Sequence, residues 1–135
     1  MKEPLWLERV DCLAIHETML AQHGGLAGVR DDNMLESAIA RPLQLFAYGN
    51  PGLADLAAAY AAGIIRNHPF LDGNKRTGFM AAMAFLELNG WKFTASEVDA
   101  VVQTLALAAG ALDEAGYAAW LEDNSRGGRT LRHPR

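Results

Sequence analysis

Nine consecutive residues without a charged or strongly polar side chain, Gly78 to Leu86, constrain this chain more than any other stretch. Nine is less than half of the ~20 needed to cross a bilayer, so the run belongs inside a protein. A helix that is apolar on every side has to be surrounded by other helices. Its bounds read from Asn74 to about Asn89, with Gly90 placed as a C-terminal glycine. The rest of the chain supplies the surroundings. Twenty-four alanines against fourteen Val, Ile and Thr tilt intrinsic propensity toward helix. Trp6, Val10, Leu13 and Leu20 form a helical stripe in a first helix that ends before Gly24-Gly25. A short second helix, Asp31 to Ala40, is stopped by Pro42. Leu53, Leu56, Tyr60 and Ile64 mark a third. Thr94-x-x-Glu97 reads as a capping box opening a fifth helix with Val98, Val101, Val102 and Leu105 inward. Tyr117, Trp120 and Leu121 belong to a short sixth, and Lys92-Phe93-Thr94 can be extended. The expected fold class is all-α: a compact six-helix bundle around one buried central helix, the fourth.

At 135 residues the chain is sized for one domain. Its charge is unevenly spread. Residues 1–124 carry sixteen acidic and eight basic side chains, whereas the last eleven carry four arginines (Arg126, Arg129, Arg132, Arg135) and no acid. The expected division is therefore a domain over 1–124 and a basic, disordered tail over 125–135. So acidic a body repels a phosphate backbone, which argues against direct nucleic-acid binding. No membrane span and no signal-peptide core are read, and Cys12 is the only cysteine, which excludes an internal disulfide. A cytoplasmic location is expected.

The chemistry is concentrated between the third and fourth helices, in Arg66-Asn67-His68-Pro69-Phe70-Leu71-Asp72-Gly73-Asn74-Lys75-Arg76-Thr77. Pro69 disfavours helical geometry at His68, so the third helix ends there and presents the imidazole. Phe70 plugs the joint into the core. Gly73 is free to take a positive φ, and from Asn74 the chain enters a helix whose first amides are unpaired donors at the positive end of the dipole. Such an end binds anions, and Lys75 and Arg76 lie on its first turn. His68 can take a proton from a hydroxyl. Asp72 is a hard oxygen ligand suited to magnesium between phosphates. Gly73, Asn74, Lys75 and Arg76 can hold phosphate oxygens. A base, a metal carboxylate and an anion nest within nine residues fit phosphoryl or nucleotidyl transfer. Each residue also has a bland use, since Asp-Gly-Asn makes turns and basic residues are commonly solvated.

The run from His68 to Thr77 closely resembles the signature of the Fic/Doc family, specifically its Doc (death-on-curing) branch of bacterial toxin–antitoxin toxins. The resemblance extends to His16-Glu17, Gly24-Gly25-Leu26, Arg30-Asp31, Leu35-Glu36-Ser37-Ala38 and Leu86-Glu87-Leu88-Asn89-Gly90, and reaches about Asn124. It implies a compact helical fold with the motif loop at the N-terminus of a central helix. Family members that transfer AMP carry glycine where this chain has Lys75, and a second arginine where it has Phe79. The resemblance is instead to Doc toxins, which bind ATP in a reversed sense and transfer its γ-phosphate to a threonine of elongation factor Tu. Carried over, His68 is the base, Asp72 binds magnesium or orients His68, and Gly73, Asn74, Lys75 and Arg76 hold the nucleotide, with Lys75 and Arg76 also counted as catalytic. ATP and Mg2+ are the implied cofactors.

Gly24 to Arg30 is either a glycine-tolerant interhelical loop or, by resemblance, a segment near the active site that helps admit the target. Thr77 caps or packs the helix start, and Arg66 either contacts the target or is solvated. No role falls to His16, and Cys12 reads as buried and inert. No Ser or Thr has Glu four positions later, so the internal inhibitory helix of many Fic enzymes is missing. A brake would come in trans, from an antitoxin whose C-terminal segment folds onto the toxin and carries basic residues. Two other readings stay open: an AMP-transferring Fic enzyme, and a catalytically silent binding module.

Overall fold

The computed structural model describes residues 2–127. Six helices are present: α1 (Arg9–His23), α2 (Asp32–Tyr48), α3 (Leu53–Asn67), α4 (Asn74–Leu88), α5 (Glu97–Ala109) and α6 (Glu114–Asp123). Two two-residue strands, β1 (Lys92–Phe93) and β2 (Ser125–Arg126), pair antiparallel, Lys92 opposite Arg126. The all-α expectation holds. Ser125 and Arg126 continue the packed structure beyond Asn124, and the rest of the expected tail from 128 onward lies outside the described residues.

The central helix is α3, not α4. Every residue from Leu56 to Ile65 is buried, and α3 packs against α2, α4 and α6. Helix α4 keeps Phe79, Met80 and Ala84 only partly buried, Phe79 meeting Phe93 of β1 edge-on at 5.8 Å between ring centroids. The Ala-rich sequence of α3 explains the difference: small side chains let three helices close in on all sides, while the larger residues of α4 reach outward to β1. Helices α3 and α4 approach closely at Gly78. A Cβ there would lie 2.8 Å from Ile65 Cγ1 and 3.1 Å from the Ala61 carbonyl oxygen.

Expectations for α2, α1 and α5 are also corrected. Pro42 does not stop α2, which runs on to Tyr48 with Pro42 buried beside Leu35, Ala38 and Ile39. Packing of that face outweighs the roughly 3 kcal/mol a proline costs inside a helix. The inward stripe of α1 is Cys12, His16 and Met19, while Val10 is exposed. Trp6 precedes α1 in an extended segment clipped down by Asn89, which bonds both N–H and C=O of Leu5, and by the Tyr60 hydroxyl, which does the same for Leu7. In α5 the cap is Ser96, accepting from Asp99 N–H at 3.1 Å, whereas Thr94 bonds the Asn124 carbonyl. Ala100, Thr104 and Leu107 face inward, and Val98, Val101, Val102 and Leu105 face solvent. The hydrogen bonds of Thr104 to Tyr117 (2.8 Å) and of Trp120 Nε1 to Asp99 (2.8 Å) fix that rotation.

Among the described residues no helix is long and apolar enough to cross a membrane. Overpacking at the α3–α4 contact is expected to be costly: Gly78→Ala should lower stability by about 1–3 kcal/mol in denaturant unfolding.

Candidate active site

Helix α3 stops where Pro69 forces it to. His68 takes φ 54°, ψ 52°, the left-handed region, and is the one non-glycine with positive φ among the described residues. That conformation costs an L-residue roughly 1–2 kcal/mol and is held by its surroundings. Arg30 supplies much of the hold. Its Nε donates to the His68 carbonyl (2.6 Å) and its Nη2 to the Asn67 carbonyl (2.9 Å), so a guanidinium caps the C-terminal end of α3.

The loop after His68 is paired on both sides. Gly28 and Arg30 bond Leu71 N–H (3.1 Å) and the Pro69 carbonyl (2.6 Å), making an antiparallel bridge between Val29 and Phe70. This leaves Phe70's own N–H and C=O without partners inside the core. Asn74 satisfies both: its Oδ1 accepts from Phe70 N–H and its Nδ2 donates to Phe70 C=O, each at 3.0 Å. Leaving either group unpaired would cost about 1–3 kcal/mol. Asn74 is therefore buried, and its side chain is committed to the loop. Only its backbone N–H remains for the phosphate role read from sequence.

The same amide reaches the imidazole. Because Phe70 fixes which end of Asn74 is the amide nitrogen, Nδ2 is the group 3.1 Å from His68 Nδ1, and Nδ1 accepts. A neutral His68 then carries its hydrogen on Nε2.

Asp72 is exposed, with one carboxylate oxygen accepting from Leu26 N–H at 3.1 Å. The glycine-rich segment thus lies against the motif loop, as expected. Its closeness is steric too, since a Cβ on Gly25 (φ +121°) would lie 3.1 Å from Asp72 Oδ2. Gly73 takes φ 78°, the conformation its lack of a side chain permits, and opens α4.

Charge at that opening is unusual for this molecule. The other five helices each carry an acidic residue in the first turn. Helix α4 has none and carries exposed Lys75 and Arg76 there instead. Its first intrahelical bond is Thr77 N–H to the Gly73 carbonyl (3.0 Å), so the N–H groups of Asn74, Lys75 and Arg76 have no cap. Two cations at the positive end of a dipole oppose folding by a few tenths of a kcal/mol each, a conflict an anion relieves.

The remaining candidates are structural or lie to one side. Thr77 is fully buried and packs. Arg66 lies 3.4 Å from Glu114 of α6, which also pairs with Arg41. Burial pushes the Cys12 thiol up to about 12, so it stays protonated, as its inert reading requires. Sequence reasoning placed Arg30 only as the end of the glycine-rich segment and gave no role to His16. His16 is buried on α1, and its Nε2 lies 2.8 Å from the Asp72 carbonyl, 56 residues away.

A base candidate in a strained turn, a carboxylate and an uncapped cationic helix start are thus brought into one joint. The family model for Fic/DOC matches residues 6–86, which include all of them. The chain belongs to the Fic/DOC family. It is 42% identical over 93 residues to a protein named Toxin Doc from Mycolicibacterium smegmatis, covering 67% of this chain and 68% of that protein. It is 35% identical over 81 residues to Protein kinase doc of Escherichia phage P1, covering 59% of this chain and 64% of the phage protein. Both matched stretches span about two thirds of those Fic/DOC relatives.

The Asn74 geometry is checked by 15N spectra of the His68 ring, assigned with His68→Ala. The neutral ring should show hydrogen on Nε2, and Asn74→Asp, which offers Nδ1 an acceptor, should move it to Nδ1.

Proposed function

We propose that the protein is a Doc-type toxin, an ATP-dependent protein kinase. It transfers the γ-phosphate of ATP to a Ser or Thr hydroxyl of a translation factor, elongation factor Tu by the family resemblance, and so blocks translation in the cytoplasm. The observation that carries this reading is the start of α4, where uncapped amides, Lys75 and Arg76 replace the acidic first turn of every other helix. The similarity to Toxin Doc and Protein kinase doc supports the same reading.

In this reading the uncapped Asn74, Lys75 and Arg76 amides, with the Gly73 backbone and the Lys75 and Arg76 side chains, hold the phosphates and spread the charge that builds on them. The target hydroxyl oxygen attacks the γ-phosphorus, and the bond to the β–γ bridging oxygen breaks. ADP leaves with that electron pair, and the hydroxyl proton passes to His68. With Nδ1 accepting from Asn74, the ring first has to shift its hydrogen from Nε2. The shift gives up that bond and sets two N–H donors face to face, a cost of about 1–3 kcal/mol that substrate binding has to offset.

Asp72 fits a magnesium ion shared with phosphates. It is an exposed carboxylate with one oxygen bonded to Leu26 N–H, and among the described residues no group of three His, Cys, Asp or Glu forms a dedicated metal cage. When bound, the ion neutralises phosphate charge. Phe79 supports phosphate over AMP transfer, since an aromatic ring packed on Phe93 stands where AMP-transferring members carry a second arginine. Lys75 in place of glycine does so as well.

The remaining parts follow from the toxin reading. An antitoxin with a basic C-terminal segment, disordered until it folds on binding, restrains the enzyme. The catalytic unit is the domain over residues 1–124.

Purified protein, Mg2+ and a bacterial translation extract, with ATP labelled at the α or the γ position, test the proposal. Label from γ alone on a band the size of an elongation factor is expected, falling at least 100-fold with His68→Ala. Label from α would make the protein an AMP-transferring enzyme, and no label from either would leave a binding module.

A further inference from the structure

The inward stripe of α1 contains two apolar residues, Cys12 and Met19, and between them a histidine that is only 4% exposed. A buried imidazole is costly unless bonded. His16 spends its Nε2–H on the Asp72 carbonyl at 2.8 Å, a group that can only accept, so the hydrogen lies on that nitrogen. Its ring lies flat on Phe70, centroids 3.8 Å apart and planes 8° apart. Two rings left to themselves favour offset or edge-on arrangements. The bond to Asp72, not ring preference, therefore sets the orientation.

These contacts grip the motif loop on both sides of exposed Leu71: Phe70 by its ring, Asp72 by its carbonyl. Gly73 is also covered, with His16 Cδ2 lying 3.7 Å from where its Cβ would be. The Asp72 carboxylate thus belongs to a residue whose carbonyl is anchored to α1, and the uncapped amides of α4 follow directly after Gly73, beside the same ring. No other side chain among the described residues bonds the Asp72 carbonyl.

We infer that His16 is a positioning residue for phosphate transfer, acting through Asp72 and Gly73 on the geometry of the bound phosphates and their metal ion. The inference rests on the kinase reading above. A spacer in the core needs bulk alone, whereas a positioning residue here needs its donor, and two variants separate the cases. His16→Phe keeps the aromatic bulk and removes the donor. His16→Gln restores a donor at the Nε2 position and loses the ring.

Steady-state kinetics of the full chain with ATP, Mg2+ and target are the measurement. For His16→Phe, kcat should fall about ten-fold, the effect expected from losing one well-placed hydrogen bond. The Mg2+ needed for half-maximal rate should rise, with KM for the protein target unchanged. His16→Gln should recover most of the rate. If His16→Phe does not fold, His16→Met takes its place as the donor-free variant. Wild-type kcat and Mg2+ dependence in a folded donor-free variant, or equal impairment of the Gln and donor-free variants, would overturn the inference.

Should wild-type protein transfer no γ-phosphate, the kinase reading fails and amide exchange decides the matter of His16. Gly73 and Asn74 amides should exchange faster in the donor-free variant than in His16→Gln. Equal rates would remove the positioning role.

Discussion

One buried amide organises the site. Pro69 ends α3, contributes no N–H and leaves the following residue, Phe70, inside the core with two backbone groups to satisfy. Asn74, the first residue of α4, satisfies both and touches His68 with the same nitrogen. A helix end, a left-handed histidine, a core plug and a helix start thereby become a single unit. Two distant side chains brace it from outside: Arg30 on the α3 carbonyls, and His16 on Asp72 and Phe70. Each bond contributes on the order of 1 kcal/mol net, comparable with the strain at His68, so several are needed to hold one unfavourable conformation.

Electrostatics complete the picture. The protein follows ordinary helix rules wherever only folding is at stake, with carboxylates or a hydroxyl at the start of five helices. It departs from them at α4, where Lys75 and Arg76 oppose the dipole. This local conflict, in an otherwise consistent fold, is the feature on which the proposed phosphate site rests. The scaffold affords it because α4 is anchored independently, through Gly78 against α3 and through Phe79 and Phe85 in aromatic contacts on two sides.

What could be read from sequence follows how local the governing physics is. Pro69, Gly73 and the helix propensities act over a few residues, so the joint, the end of α3 at His68 and the start of α4 were legible. Rotation and rank of the helices were not. Val98, Val101, Val102 and Leu105 make as good a helical stripe as Ala100, Thr104 and Leu107. Only the Tyr117 hydroxyl and the Trp120 indole, on another helix, choose between them. Likewise α3 displaces α4 as the centre because alanine permits close approach, a property of pairs of helices. Pro42 in α2 is tolerated for the same kind of reason. His16 and Arg30 act across 56 and 38 residues of chain, and their own neighbours carry no trace of it. Asn74 reads from sequence as facing outward, because its inward partner is the Phe70 backbone, which the sequence does not display.

Every role proposed for the joint depends on where nucleotide phosphates bind. Titrating ATP with Mg2+ into 15N-labelled protein, and following the backbone amides, tests this most directly. The largest shifts should fall on Gly73 to Thr77, with His68 and the Gly25–Leu26 segment responding through Asp72. Shifts centred elsewhere, with the amides of Gly73 to Arg76 unmoved at saturation, would contradict it.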